Sequence, residues 1–151
     1  MKTKTSTNHK LTEQFVSDKV VDWLYDNGWK HGLRRGALYQ HGVDIRVQNS
    51  QPPHTQYFYI EVKGASSAKY ANAVDDGSVI TSIGQIMTRM DHGFKSNHYA
   101  IAIPETSMKT VTNRLPWQIA KMLFLSVFSV SKKGIVTRYK WKELRELQHK
   151  K

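Results

Sequence analysis

Apolar residues recur at helical spacing near the start of the chain. Leu11, Phe15, Val16, Val20, Trp23 and Leu24 fall on one side of a 3.6-residue period, and Asn27-Gly28 follows as a stop, so residues 11–27 are predicted to form an amphipathic helix. Residues 29–36, WKHGLRRG, carry no such period and read as a turn-rich basic segment. The period then changes to two. Residues 37–48 and 56–63 read as strands separated by NSQPPHT, whose prolines interrupt pairing, and the short link predicts that they run antiparallel. A polar stretch over 64–77 is longer than ordinary connections and is a candidate functional loop. A second helix is predicted over 78–91, with Asp75, Asp76 and Ser78 as capping residues. HYAIAIP reads as a strand ending at Pro104, followed by a polar loop and a short helix near 116–123. LFLSVFSV and GIVTRYKW read as a hairpin around Lys132-Lys133-Gly134, and WKELRELQ as a closing helix. The expected architecture is α/β (α+β), with a central mixed β-sheet flanked by helices. Residues 1–10 read as a flexible basic tail and 11–151 as one domain.

Charge adds the first hint of a partner. Lys and Arg number 23 against 12 Asp and Glu, a formal net charge of +11, which favours a polyanion, most often nucleic acid. The bland alternative is a basic protein with no such partner. The absence of cysteine excludes disulfides and thiolate metal sites. The longest apolar run, Met122 to Val130, is too short to cross a bilayer, and the first ten residues lack the apolar stretch of a secretory signal. A cytoplasmic, intracellular location without membrane contact is expected.

The candidate chemistry sits in two strands. In YFYIEVKG, Phe58, Ile60 and Val62 alternate with Glu61 and Lys63, so a carboxylate and an ammonium share one face just before Gly64. In GVDIRV, Val43, Ile45 and Val47 alternate with Asp44. If the strands pair in register, Asp44 and Glu61 converge. Converging carboxylates repel each other, and a hard divalent cation relieves that repulsion. Mg²⁺ suits such a site because it takes oxygen ligands, retains water and accepts phosphate oxygens, and Mn²⁺ can substitute for it. Lys63 beside it could orient a water or stabilise negative charge. The plain alternative is a surface Glu–Lys pair on an edge strand.

GVDI followed by YIEVKG resembles the core of the PD-(D/E)XK nuclease superfamily, which includes many restriction endonucleases and Holliday-junction resolvases. The order helix, strand with Asp, strand with Glu-x-Lys, helix, strand is similar to that core and covers residues 11–104, leaving 105–151 as a C-terminal helix–hairpin–helix extension. The resemblance implies a restriction-endonuclease-like fold. It implies that Asp44 and Glu61 bind the metal, that the Val62 carbonyl faces it, and that Lys63 is the catalytic lysine. Many members carry a Gln on the next helix, matched here by Gln85. The Tyr found four residues later is Arg89 in this chain, a residue suited to phosphate. Where many members have a proline before the Asp, this chain has Val43.

Glu13 lies on the helical side of Val16, Val20 and Leu24. By the resemblance to resolvase-like members it contributes to the metal site; alternatively it complements the helix dipole. Arg34, Arg35, Lys69 and Arg89 are the candidate nucleic-acid contacts. His31 and His41 lie near the basic segment, while Asp91, His92 and His98 read as solvated loop residues. Tyr57 and Tyr59 share the Glu61 face, either under a helix or lining a groove. The expectation is a Mg²⁺-dependent endonuclease acting on DNA, as a homodimer or as a component of a larger nucleoprotein complex in a restriction, recombination or mobile-element system. The alternatives are a non-catalytic nucleic-acid-binding domain and an interaction protein with incidental basicity.

Overall fold

A computed structural model describes residues 10–35, 43–50, 55–65, 71–90 and 97–150. Within them, helix α1 (Glu13–Asp26) is followed by β1 (His31–Arg35), β2 (Ile45–Gln48), β3 (Tyr57–Val62), α2 (Ala71–Met87), β4 (His98–Pro104), α3 (Met108–Arg114), α4 (Trp117–Met122), β5 (Leu125–Val130), β6 (Val136–Tyr139) and α5 (Trp141–His149). The six strands form one sheet in the order β1-β2-β3-β4-β5-β6. β1, β2 and β3 are antiparallel neighbours, β3, β4 and β5 run parallel, and β6 returns antiparallel. The protein is therefore a mixed α/β structure whose sheet is flanked by helices. β5 and β6 belong to the same sheet as β2–β4, so residues beyond 104 extend it rather than stand apart.

Alternation divides the sheet's two faces. Ile45, Val47, Phe58, Ile60, Val62, Ala100, Ala102 and Phe128 pack under Val16, Val20 and Leu24 of α1. Ile101, Ile103, Leu125 and Val127 point the other way, against Val79 and Ile86 of α2, Val111 of α3, Ala120 of α4 and Leu144 of α5. α1 starts where Thr12 places its Oγ1 to accept the Phe15 N–H at 3.1 Å, and it stops at Asn27, after which Gly28 adopts φ 89°. Gln148 of α5 ties down the α3–α4 link. Its Nε2 donates to the Thr112 and Leu115 carbonyls and its Oε1 accepts the Trp117 N–H. Among the described residues no helix is long and apolar enough to cross a membrane.

Several sequence expectations are corrected. The basic turn over 29–36 contains edge strand β1; pairing with β2 imposes it despite weak alternation, with a bulge after His31 and Gly32 at φ 57°. The strand expected over 37–48 begins only at Ile45, residues 36–42 lying outside the described set, so Asp44 stands in a bend before the strand. The expected loop over 64–77 is helical from Ala71 on, placing Asp75, Asp76 and Ser78 inside α2 rather than at its cap. Asp76 instead receives two hydrogen bonds from Arg114 of α3, at 2.9 and 3.0 Å. α2 ends at Met87, short of 91, and the polar loop after Pro104 forms a 3₁₀ turn and α3. The basic tail expected over the first ten residues lies almost wholly outside the described residues.

Candidate active site

β2 and β3 bring the two predicted carboxylates together at the end of β3. Ile45 pairs with Ile60, and the same antiparallel register carried one residue further sets Asp44 opposite Glu61. The bend at Asp44 has already left the ladder. In its place Asp44 Oδ2 accepts the Val62 N–H at 2.6 Å, standing in for a carbonyl of the departed strand. The next residue faces the other neighbour, Lys63 N–H donating to the Ala102 carbonyl at 2.9 Å. Strand alternation therefore puts the Val62 carbonyl on the same edge as its N–H, toward Asp44.

The face carrying Glu61 is not the open polar surface that alternation alone suggests. α2 packs against β3 and β4, and Glu61 is only 3% exposed. Its Oε2 is buried without a hydrogen-bond donor among the described residues. Burial, reinforced by the Asp44 carboxylate, pushes the Glu61 carboxyl up to about 7, while the Lys63 and Arg89 charges pull the other way and Glu13 adds to the rise. Glu13 is raised too, by burial and then by Asp44, with Lys63 opposing. Three carboxylates from α1, the β2 bend and β3 thus share one electrostatic neighbourhood with Lys63 and Arg89.

Glu13 reaches this neighbourhood because β3 abuts the start of α1. The Ala65 N–H donates to the Leu11 carbonyl at 2.7 Å. At Gly64 a Cβ would lie 2.3 Å from the Glu13 nitrogen and 2.8 Å from the Thr12 carbonyl carbon. The glycine after Glu-Val-Lys is therefore a requirement of close approach, a role that sequence reading did not assign to it.

The other predicted residues are distributed more widely. Arg89 lies just beyond the end of α2, its N–H turned back to the Ile86 carbonyl. Gln85 Oε1 is a buried acceptor without a donor among the described residues. Arg34 and Arg35 lie on β1, two strand spacings (roughly 10 Å) from β3. Arg35 is engaged at 2.5 Å by Asp18 of α1. Lys69, His41, Asp91 and His92 fall outside the described residues. His98, expected in a solvated loop, opens β4 and packs on Trp29 and Phe58 with ring centroids 5.3 and 5.6 Å away. Tyr59 stacks on Tyr99 at 5.6 Å and Tyr57 on Tyr59 at 6.0 Å, so they pack as an aromatic row on the Glu61 face.

One further residue belongs to this face. Arg46 is opposite Arg34 in the β1–β2 register, and its guanidinium lies 4.6 Å from the centre of the Tyr57 ring. Its Nε is buried without a hydrogen-bond partner among the described residues. Two like charges opposite each other in a sheet cost stability, and an anion bound between them removes the cost. The signal in the sequence was its position two residues after Asp44, on the same face.

The hard oxygen donors of Asp44 and Glu61, one of them an unpartnered buried oxygen, fit Mg²⁺ by chemical type. Against that, no group of three or more His, Asp or Glu among the described residues is arranged to hold a metal ion. The Val62 N–H already occupies one Asp44 oxygen. Comparison with protein families, curated proteins and solved structures returns no match.

Proposed function

We propose that this chain is a metal-dependent endonuclease hydrolysing DNA phosphodiester bonds on a restriction-endonuclease-like core. The observation that carries the reading is the Asp44–Glu61–Lys63 cluster at the end of β3, with a buried carboxylate whose proton affinity is raised by burial and then by its acidic neighbour. The mixed α/β sheet and the order helix, Asp44 before a strand, strand with Glu-x-Lys, helix and strand are compatible with the PD-(D/E)XK resemblance. Asp44, Glu61 and the Val62 carbonyl would hold Mg²⁺ or Mn²⁺, with Glu13 at the margin. A bound ion would supply an acidified water and offset charge on the phosphoryl group. Lys63 positions the attacking water and stabilises the charge that builds on the phosphate oxygens. Arg46 and Arg34, opposite each other on β2 and β1, would hold the flanking backbone.

The second reading is a nucleic-acid-binding domain with an inert cluster. It is favoured by the engagement of Asp44 with the Val62 N–H and by the lack of a metal-holding group among the described residues. Cleavage of duplex, single-stranded, flapped and four-way DNA, measured with Mg²⁺, Mn²⁺ or EDTA, separates the two. The expected result is metal-dependent scission that Asp44→Ala and Lys63→Ala each reduce on the order of 10²-fold or more. Lys63→Ala should keep metal affinity and Asp44→Ala should lose it. Wild type that cuts none of these substrates under any of these conditions, and binds DNA as both variants do, establishes the inert reading.

DNA affinity itself should fall steeply with salt. Each phosphate contact made by Lys or Arg releases counterions, and the chain carries a net charge of +11. Fluorescence anisotropy of a labelled duplex between low and physiological salt measures the slope. A flat response would remove nucleic acid as the main partner.

A further inference from the structure

A second site lies toward the other end of the sheet, at the starts of β4 and β5, where His98 stands opposite Phe58, three residues (roughly 10 Å) before Glu61 along β3. There His98, Lys121, Phe124, Arg138, Lys140 and Trp141 line a cavity of about 330 Å³. Its lining holds three permanent cations and no carboxylate. None of the three is in an ion pair among the described residues. Glu143, whose charge reaches Arg138, accepts the Lys140 backbone N–H at 2.9 Å.

Arg138 is fixed in place. Its Nε donates to Ser126 Oγ at 3.1 Å, and its guanidinium rests 4.8 Å from the centre of the Phe58 ring. A half-buried cation that is in no ion pair among the described residues can be completed by an anion. The aromatic rings supply a different chemistry. Trp141 stacks on Trp117 at 5.8 Å and carries the Lys121 ammonium 4.7 Å from its ring centre. Phe124, in the turn between α4 and β5, is half exposed and adopts φ 53°. That conformation suits glycine, and a bulky residue seldom adopts it. A large ring held in a strained turn at the rim of a cavity contributes little to packing and is well placed for a ligand.

We propose that this cavity is a nucleotide-binding site, taking a phosphate at Arg138, Lys121 and Lys140 and a base against the Phe124 and Trp141 rings. Its volume is at the low end of the roughly 300–1,000 Å³ of small-ligand sites, enough for one nucleotide. The nucleotide is either a free one or the terminal residue of a single strand; both present the same base and phosphate. Nothing in this proposal depends on the carboxylate cluster.

The test is titration of the full chain, followed by tryptophan fluorescence and calorimetry, with 5′-AMP, 5′-dTMP, adenosine, inorganic phosphate and a short 5′-phosphorylated oligothymidylate. Both nucleotides, or the oligothymidylate alone if strand ends are the source, should bind at least about tenfold more tightly than adenosine or phosphate. Lys121→Gln and Lys140→Gln should each weaken binding about tenfold. Phe124→Gly should weaken it similarly while leaving Tm unchanged or higher, because glycine adopts φ 53° without strain. Asp44→Ala should not alter it. Phosphate binding as tightly as nucleotide, no binding at millimolar concentration, Phe124→Gly lowering Tm without affecting binding, or Asp44→Ala abolishing binding would each overturn the proposal.

Discussion

Glu61→Gln is expected to stabilise the protein above pH 7 while reducing DNA cleavage ~10²-fold or more. Glu61 is buried, lacks a donor for Oε2, and has its carboxyl moved from the ordinary 4.5 to about 7. The folded state therefore binds this proton more tightly than the unfolded chain does. Stability from this group is fully present below pH 4.5 and declines as pH rises through about 7. Converted at 1.36 kcal/mol per pH unit, the loss amounts to about 3 kcal/mol by pH 8. Glu13 is raised in the same direction, but it is exposed, and solvent screening keeps its share of the decline small. A neutral amide of the same shape removes the Glu61 part of it. Denaturant unfolding of wild type and Glu61→Gln from pH 4 to pH 9 should show two curves that meet below pH 4.5, diverge as pH rises to about 7 and run parallel above that. A divalent cation that binds ionised Glu61 should restore wild-type stability at pH 8 and leave Glu61→Gln unmoved. Parallel curves at all pH values would mean that the carboxylate is not a stored electrostatic cost, and the functional reading would lose its main support. A residue that costs stability where it is needed for chemistry fits a site kept for function rather than for folding.

Gly64→Ala is expected to lower stability by about 3 kcal/mol or more, a Tm decrease of roughly 10 °C, and to suppress cleavage along with it. The new methyl would meet backbone atoms of Glu13 and Thr12 at 2.3 and 2.8 Å. Backbone cannot rotate away as a flexible side chain can, so the start of α1 must move off the end of β3. That movement carries Glu13 away from Asp44 and Lys63. Gly84→Ala is the natural control, since a Cβ there meets nothing within 4 Å and alanine favours the helix. Equal stability of wild type and Gly64→Ala would show that the contact between α1 and β3 is looser than described, and with it the placement of Glu13 in the cluster.

What the sequence determined by itself is local periodicity. The 3.6-residue repeat of Leu11, Phe15, Val16, Val20, Trp23 and Leu24 specified α1. The two-residue alternation of Phe58, Ile60 and Val62 specified both the strand and the sharing of one face by Glu61 and Lys63. The Lys132-Lys133-Gly134 turn specified the β5–β6 hairpin, since Gly134 adopts φ 78° there. Each of these depends on neighbours within a few residues. β1, the early start of α2 at Ala71 and helix α3 depend on remote partners: pairing with β2 fixes β1, Asp76 reaches across to Arg114, and Gln148 holds the α3–α4 link from the far end of the chain. The site divides in the same way. Residue types and spacing marked Asp44, Glu61 and Lys63 as a group, but only the tertiary structure decided that Asp44 stands in a bend and caps the Val62 N–H. Only the tertiary structure decided that α2 buries Glu61 and that Gly64 lets α1 bring Glu13 alongside. Burial and close approach are set by residues dozens of positions apart, and the energy of a carboxylate depends on what surrounds it in space rather than on what adjoins it along the chain.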